Sequence, residues 1–382
     1  NQASTLQNKN LRVQTLDALT NPETCIYHRA TLKPADQQQL VTTLLSEGLL
    51  DSHDSGFPGG LITGVFPPVL NDGTKCPHLP QPFYSAPGSV YHGHHSYPGG
   101  LPVHESNNDV SFTHLANEYR ADFGHTGILG LPTIDWNQFA ESSYQVQNSD
   151  DAIYINQDDV TGAPIWHDWA KPIVFQWFAD GSEFAELSIG GNGSTDKYGQ
   201  SGSSKTGGHH ILSIAEAMSR NLPAEFIITQ ASAHSNPSEG NEYKVVNWLR
   251  AAAIIARVDP VAKGYLYIGP DGNLHLPPVR KLGSVDLASQ GQTYLLPEYQ
   301  LHNLSDADWI QSEPSIWNVE DVLKVLAPQF GYDPNDTSRY QNSFRNPVFT
   351  FESAERLFTI YNLKGKAGVQ TELQRLHKLH VI

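Results

Sequence analysis

The chain has 382 residues, which is enough for one large domain with additions or for two domains. Hydrophobic residues make up 39% and charged residues 17%, a composition typical of a folded protein with a sizeable core. The net charge of −16 disfavours binding to nucleic-acid phosphates, and no stretch approaches the roughly 18–20 uninterrupted apolar residues of a membrane span. We therefore expect neither a nucleic-acid partner nor a membrane span, and the sequence leaves the oligomeric state open.

Residues 1–84 form a first region with one predicted helix, around Pro34–Leu49, followed by a loop-rich stretch. Its polar start, NQASTLQNKN, is typical of a mature chain after removal of a signal peptide. We therefore expect a secreted or periplasmic protein and, failing that, a cytoplasmic one. Cys25 and Cys76 are too few for a zinc–thiolate site. They either form one disulfide, which we predict if the protein is exported, or both remain free.

Four segments of the second region, residues 85–262, repeat apolar residues with the spacing of amphipathic helices. They are Leu101–Tyr119, Gly208–Arg220, Ala224–His234 and Glu242–Asp259. On a helix that turns by about 100° per residue, each segment brings one candidate metal ligand onto or beside its apolar face. These candidates are His104, His210, His234 and Asp259. His209 points nearly opposite to the apolar face of its segment, so we predict that His210 is the ligand there.

Two further features of this region favour a metal site. Asp259 closes an apolar stripe directly before Pro260, and a carboxylate buried in this way needs a cation or a strong set of hydrogen-bond donors. The adjacent pair His167-Asp168 lets one short segment supply an imidazole and a carboxylate whose two oxygens can bridge two cations. Neutral imidazole is the commonest protein ligand of transition metals, so these positions predict a metal centre.

Two hairpins are predicted from Asp-Gly turns between strand-like runs. The first pairs Val174–Phe178 with Glu183–Leu187, and the second pairs Tyr265–Ile268 with Leu274–Leu276. Between the two hairpins, Ser188–Gly208 is a Gly/Ser-rich loop. Because it runs directly into a candidate ligand segment, it is either a lid over the site or a plain surface loop.

The order His … His-Asp … His … His … Asp, with HDxxK at residues 167–171, resembles that of the HD-domain metal-dependent phosphohydrolases. The stretches HHSYPGGLPVH (94–104), GGHHI (207–211), SAHS (232–235) and ARVDP (256–260) resemble ligand segments of that family. The resemblance covers roughly residues 90–262 and implies a mainly α-helical, HD-type core over residues 85–262, with small hairpin insertions. Residues 1–84 and 263–382 would be N- and C-terminal extensions. The latter has helical patterns around Val319–Ala327 and Ser353–Leu363.

The resemblance also implies a set of metal ligands. One metal ion would be bound by His104, His167 and Asp259, a second by His210 and His234, with Asp168 bridging the two. A donor set made only of nitrogen and oxygen atoms suits two divalent transition metal ions, either iron, manganese or zinc. Lys171 matches the lysine of HDxxK and would lie beside the anionic group of the substrate. Pro172 departs from the family pattern, in which a helix usually continues after this motif, and the substrate stays open.

The function implied by the resemblance is the hydrolysis of a small phosphoester or a similar anionic molecule. Asp168 would hold both metals, Lys171 would add positive charge, and His94 or His95 would protonate the leaving group. The two histidines also fit a solvated turn without a catalytic role. Two other functions fit the same ligands: an oxygenase with two irons, similar to myo-inositol oxygenase, and a non-catalytic protein with a structural metal.

Overall fold

The computed structural model of the chain describes residues 2–123, 154–182, 185–237, 240–277, 279 and 296–382. Within these ranges the protein is mainly α-helical, which confirms the predicted fold class. The helices are α1 (Lys9–Thr20), α2 (Pro34–Ser46), α3 (Gly60–Val65), α4 (Gly100–Phe123), α5 (Gln157–His167), α6 (Lys171–Val174), α7 (Gly208–Ser219), α8 (Ala224–Ala231), α9 (Glu242–Ala256), α10 (Pro297–Ser305), α11 (Trp309–Leu326), α12 (Thr337–Tyr340), α13 (Asn346–Glu352) and α14 (Ala354–Lys378). Two antiparallel strand pairs join β1 (Ser188–Ile189) to β2 (Thr206–Gly207) and β3 (Tyr267–Ile268) to β4 (Leu274–His275). In the same ranges, no helix combines the length and the apolar character that crossing a membrane requires.

The N-terminal region is cross-linked within itself and packs on α7. The predicted helix in this region is confirmed as α2, which begins at Pro34 because the fixed φ of proline suits the first helical turn. Cys25 and Cys76 form a disulfide, with their Cα atoms 5.1 Å apart. Two backbone N–H groups of residues 27–28 donate hydrogen bonds to the buried carboxylate of Glu216 on α7. The first 84 residues are therefore tied directly to a central helix.

One large hydrophobic core joins the N-terminal region to the middle of the chain. Helices α7 and α9 are buried on nearly every face, as expected for helices at the centre of a fold. Trp166 near the end of α5 is fully buried, and its ring N–H donates to the hydroxyl of Thr15 on α1 at 2.8 Å. Trp169 donates in the same way to the carbonyl of Ala18 at 3.1 Å. The predicted N-terminal extension thus contributes to the core that supports the middle region.

The Gly/Ser-rich loop between β1 and β2 is fastened to neighbouring helices. The ring N–H of Trp248 on α9 donates to the carbonyl of Ser204 at 2.6 Å, and Asn247 donates to the hydroxyl of the same serine at 2.9 Å. Lys197 pairs with Glu47, directly after α2, at 2.7 Å. These contacts favour the surface-loop interpretation of this segment over the lid.

Of the two predicted hairpins, the second is confirmed as β3 and β4. The first prediction is wrong for its first strand, because Val174 ends α6 and Phe175 packs against the ring of His209, with centroids 5.7 Å apart. Pro172 is the second residue of α6, where its missing N–H leaves no hydrogen bond unmade, so a helical turn continues past the proline. Residues 183–184 of the second predicted strand lie outside the described ranges. Strand β1 pairs with β2 instead.

The helices after residue 308 form a second, smaller core around Leu323 and Phe349. Tyr97, from the loop directly before α4, is buried in this core. Arg345 is also buried, and its guanidinium donates to the carbonyl oxygen of Ser96 at 2.6 Å. The C-terminal helices therefore hold the loop that carries two of the predicted catalytic histidines.

Candidate metal centre

Segments near the ends of three helices bring together four side chains of the candidate site. His104 lies in the second turn of α4, and His167 is the last residue of α5. Asp168 directly follows α5, and Asp306 directly follows α10. Each of the first three side chains is 1% exposed or less, and Asp306 is 9% exposed. Charged groups of both signs are thus concentrated inside the protein, which is costly unless they are paired or bind a metal.

His104, His167 and Asp168 belong, together with Glu105, to the first group of candidate ligands, and Asp306 lies beside both imidazoles. Nε2 of His104 lies 3.2 Å from Oδ2 of Asp168 and 3.1 Å from Oδ1 of Asp306. Nε2 of His167 lies 3.3 Å from the same Asp168 oxygen and 3.4 Å from the same Asp306 oxygen. Both imidazoles thus lie close to both carboxylates, and nitrogen and oxygen donors of this kind suit a transition metal ion.

A second group shares Asp168 with the first. Oδ1 of Asp168 lies 3.1 Å from Nε2 of His209, the second residue of α7. His234 follows α8 and lies beside His209, with ring centroids 5.3 Å apart. Nδ1 of His234 is 2.9 Å from the hydroxyl of Thr206, which leaves the other ring nitrogen for a ligand role. Because the two oxygens of Asp168 face different imidazoles, this carboxylate could be shared by two cations.

Several of these ligand atoms are buried without a hydrogen-bond partner. Among the described residues, no hydrogen bond of good geometry reaches either oxygen of Asp168, Nε2 of His167 or Nε2 of His209. A buried polar atom left unsatisfied costs about 1–3 kcal/mol, so a cation is a natural partner for them. The nitrogen and oxygen donors suit iron, manganese or zinc. The residues present therefore fit divalent transition metal ions.

The charges of the cluster shift the pKa values of its members in opposite directions. Burial raises the pKa of Asp168, but the positive charges of His167 and Lys171 outweigh burial and hold that pKa well below its usual range. Burial lowers the pKa of His167, but Asp168 and other carboxylates raise it well above its usual value. The pKa of His209 is raised in the same way by Glu186 and Asp168, against the effect of burial. Without a metal, the surrounding carboxylates therefore favour the protonated forms of His167 and His209.

Glu105, the residue after His104, is a buried acid that the sequence analysis missed. Its Oε2 lies 3.5 Å from Nδ1 of His167, and neither carboxyl oxygen has a hydrogen-bond partner among the described residues. Burial, together with the negative charge of Asp168, raises the pKa of Glu105 to about 8. Glu105 is therefore mostly protonated at neutral pH in the metal-free protein, and it could contribute an oxygen ligand.

The histidine that reaches Asp168 is His209 and not the predicted His210. His210 is fully buried on another side of α7, where its Nε2 lies 3.1 Å from the carbonyl oxygen of Ala231. The prediction of His210 depends on a helix whose face opposite the apolar stripe is exposed to water. Because α7 is buried on nearly every face, a residue on the opposite face also points into the protein.

The structure leaves Asp259 outside the cluster, and the expectation that it would be buried is wrong. Helix α9 ends at Ala256, Arg257 adopts a left-handed φ of 59°, and Asp259 lies exposed in the following turn. Its Oδ1 accepts hydrogen bonds from the backbone N–H groups two and three residues later. The helix ends three residues before the predicted segment does, so Asp259 is not on the apolar face of α9. Asp306 stands in the position that Asp259 was expected to fill.

Asp306 was missed although the sequence holds a signal for it. It lies four residues after His302, and this spacing brings both side chains to one side of α10. His302 is fully buried, its Nδ1 donates to the carbonyl oxygen of Thr229 at 2.7 Å, and its ring meets that of His167 edge-on at 5.3 Å. A histidine followed four residues later by an aspartate, at the end of a helix, is the sequence pattern that would have identified Asp306 as a candidate ligand.

Two of the predicted catalytic residues lie directly against the cluster. Lys171 is buried, and its Nζ contacts both Oδ2 of Asp168 and the carbonyl oxygen of Gly88. His94 is partly exposed, with its ring centroid 4.7 Å from that of His104. Its Nδ1 has no hydrogen-bond partner among the described residues. A positive charge and a free ring nitrogen thus flank the candidate ligands.

His95, the third of these residues, is buried rather than solvated. Its Nε2 lies 2.9 Å from Oδ2 of Asp308, and its Nδ1 lies 3.3 Å from Oε1 of Glu355. The interpretation of this residue as part of a solvated turn is therefore wrong. Because both ring nitrogens already face carboxylates, His95 is less suited than His94 to exchange a proton with a substrate.

The candidate ligands of the centre are His104, His167, Asp168, His209, His234 and Asp306. Comparisons of the chain with protein-family models, with curated proteins and with solved structures found no match. The function is therefore inferred from the geometry and chemistry of this cluster.

Proposed function

We propose that the protein is a metal-dependent hydrolase that acts on a small phosphoester or a similar anionic molecule through a binuclear metal centre. The observation that carries this proposal is the position of Asp168 between two groups of ligands. His104 and His167 face one of its oxygens, whereas His209, with His234 beside it, faces the other. This arrangement supports the resemblance to HD-domain phosphohydrolases, with His209 and Asp306 in the roles first expected of His210 and Asp259.

The donor set defines what this centre would do. When bound, two divalent cations would stabilise the negative charge that develops on a phosphoryl group during hydrolysis. Asp168 would be shared by both ions, and Asp306 would complete the first group of ligands. Nitrogen and oxygen donors are compatible with iron, manganese and zinc, so the choice of metal has to be measured.

Lys171 and His94 would act on the substrate. The ammonium group of Lys171 adds a fixed positive charge beside Asp168, which favours an anionic group at the centre. Burial and the charge of Lys171 lower the pKa of His94 well below its usual value. A substrate anion beside His94 would raise that pKa and so favour the protonated ring. His94 could then donate its proton to the leaving group.

The access to the cluster favours a small substrate. His94 and the candidate ligand His234 are partly exposed, whereas the other five candidate ligands are buried. Only these two side chains of the cluster would be open to solvent, so a small molecule would reach the cluster more easily than a polymer. The net charge of −16 also repels polyanions, while the local cations and Lys171 could still attract one anionic group.

The proposal is tested by metal analysis and turnover of the full chain loaded with manganese, iron or zinc. We expect about two metal equivalents per chain and turnover of a small phosphoester at equal rates with and without oxygen. Lys171→Met should lower kcat/KM by about 100-fold and retain the metal, because it removes a charge that stabilises the transition state. Lys197→Met removes an exposed ion pair with Glu47 and is the matched control, which should change neither quantity.

Three outcomes would overturn parts of this proposal. Turnover that requires dioxygen and reduced iron would replace hydrolysis with the diiron oxygenase function. Bound metal without turnover, when several small phosphoesters are assayed, would favour a non-catalytic metal-binding protein. If the protein takes up none of the three metals, the metal centre itself is refuted.

A further inference from the structure

Asp308 contacts the candidate ligand His104 and the neighbouring His95 at once. Its Oδ1 lies 2.7 Å from Nδ1 of His104, and its Oδ2 lies 2.9 Å from Nε2 of His95. Asn107 also donates to Oδ2, at 3.2 Å. Asp308 lies two residues after the candidate ligand Asp306. One short segment therefore supplies a ligand, Asp306, and a carboxylate that contacts the far ring nitrogen of a second ligand, His104.

The side chain of Asp308 is not used to cap the helix that it precedes. Asp308 is the N-cap residue of α11, a position where aspartate usually accepts a hydrogen bond from the first turn. Here no such hydrogen bond is made, and the carboxylate turns instead towards His104 and His95. A capping role therefore does not explain its orientation.

We propose that Asp308 is a positioning residue that fixes the tautomer and the orientation of His104 for metal binding. A carboxylate can only accept a hydrogen bond, so Nδ1 of His104 must carry the proton in this contact. In the neutral ring the lone pair then lies on Nε2, the atom that faces Asp168 and Asp306. Carboxylates in this outer position orient histidine ligands in many metal sites. The role of Asp308 in supporting a metal ligand rests on the proposed function, whereas its effect on the tautomer of the neutral His104 ring does not.

His95 completes this arrangement by holding Asp308 in place. Its backbone N–H donates to the hydroxyl of Ser312 on α11 at 2.8 Å, and its φ of 49° is a left-handed conformation that is uncommon outside glycine. A Cβ on Gly100 would lie 1.9 Å from the carbonyl oxygen of His95, so only glycine fits there. The loop therefore adopts a costly conformation that directs the ring of His95 to Asp308.

The test compares D308A and D308N with the unmodified chain and with D271N. Asp271 contacts Nε2 of His275 at 3.0 Å in an exposed pair outside the cluster, so D271N is a matched carboxylate–histidine control. Zinc affinity is measured by competition with a chelator. Histidine tautomers are read from ring nitrogen NMR signals of the zinc-bound chain and of the zinc-free chain at a pH high enough for the ring of His104 to be neutral, because the surrounding carboxylates raise its pKa. We expect D308A to weaken zinc binding by about 10- to 100-fold and to lose the Nδ1–H form of His104. D308N keeps an oxygen acceptor and should lose less, and D271N should match the unmodified chain.

The outcomes separate this proposal from the proposed function. Zinc affinity of D308A within twofold of the unmodified chain, with the His104 tautomer unchanged, would overturn the positioning role and leave the metal centre standing. If the unmodified chain binds no zinc, the proposed function fails, and the His104 tautomer still decides whether Asp308 sets it. Should D308A not fold, D308V decides, because valine is close to aspartate in size and has no acceptor: an unchanged affinity together with an unchanged Nδ1–H signal would overturn the positioning role.

Discussion

His210 stacks on His234, with ring centroids 4.0 Å apart and ring planes inclined by 14°. Nε2–H of His210 donates a hydrogen bond to the carbonyl oxygen of Ala231. Burial, followed by the charges of neighbouring histidines, lowers the pKa of His210 well below its usual value. His210 is therefore a neutral ring that supports His234 from behind. The adjacent residue, His209, is the one that faces Asp168.

We expect the two neighbouring histidines to respond differently to substitution. His209→Gln removes a nitrogen that faces Asp168, so the protein should lose most of its second metal equivalent and its activity. His210→Gln should retain the metal and lower the free energy of unfolding by about 1–3 kcal/mol, because it disturbs a buried stacked ring. Elemental analysis and urea denaturation of both variants measure these effects. The opposite ranking in metal content would restore His210 as the ligand.

Asp306 and Asp259 provide a second comparison. Asp306→Asn removes a charge within 3.4 Å of two imidazoles and should weaken metal retention at least about 10-fold. Asp259→Ala should leave the metal in place and cost about 0.5–1.5 kcal/mol of stability, because its side chain only accepts two backbone hydrogen bonds in an exposed turn. Metal affinity and thermal unfolding are the measurements. A loss of metal in the Asp259 variant alone would contradict the assignment.

Metal binding should release protons. Burial and Lys171 lower the pKa of His104, but the surrounding carboxylates raise it well above its usual value, and the pKa values of His167 and His209 are raised as well. The metal-free protein therefore holds protons on rings that a cation needs unprotonated, and zinc affinity should rise as the pH increases from about 6 to about 8. Calorimetric titrations at one pH, in buffers with different heats of ionisation, count the protons released. Identical binding enthalpies in all buffers would contradict the expectation.

Local patterns in the sequence were enough for part of this site. His104 could be placed from the periodicity of α4, and His167 and Asp168 from their adjacency, because these features depend on neighbouring residues only. The sequence could not decide whether His209 or His210 faces the site. Helical periodicity separates a buried face from a face exposed to water, and α7 is buried on nearly every face. The contact between His104 and Asp308 joins residues 204 positions apart, and no local pattern reports such a pairing.

Glu216 gives a prediction about stability and pH. Its carboxylate lies 2.7 Å from Nδ1 of His28 and 2.7 Å from Nε of Arg220, all fully or largely buried. Burial raises the pKa of Glu216, but Arg220 and His28 outweigh burial and lower the pKa from 4.5 to about 2. This contribution to folding is therefore fully present above pH 4.5 and is lost as the pH falls towards 2.

Glu216→Gln should lower the free energy of unfolding at pH 7 by about 3 kcal/mol, because it removes a negative charge that balances the buried positive charge of Arg220. The difference from the unmodified chain should shrink when the urea denaturation is repeated near pH 3. Asp321→Asn, at an exposed ion pair with Lys324, is the control and should cost less than about 1 kcal/mol at either pH. A difference for Glu216→Gln that grows on acidification would contradict the assignment.

The hydrogen bond from Arg345 to the carbonyl oxygen of Ser96 spans 249 positions of the chain. During synthesis, the loop with His94 and His95 therefore leaves the ribosome long before the helices that hold it. The carboxylates of Asp306 and Asp308 also emerge long after His104. A growing chain thus exposes histidines whose final partners have not yet been made, so the complete centre can take up metal only after the last helices have emerged and folded.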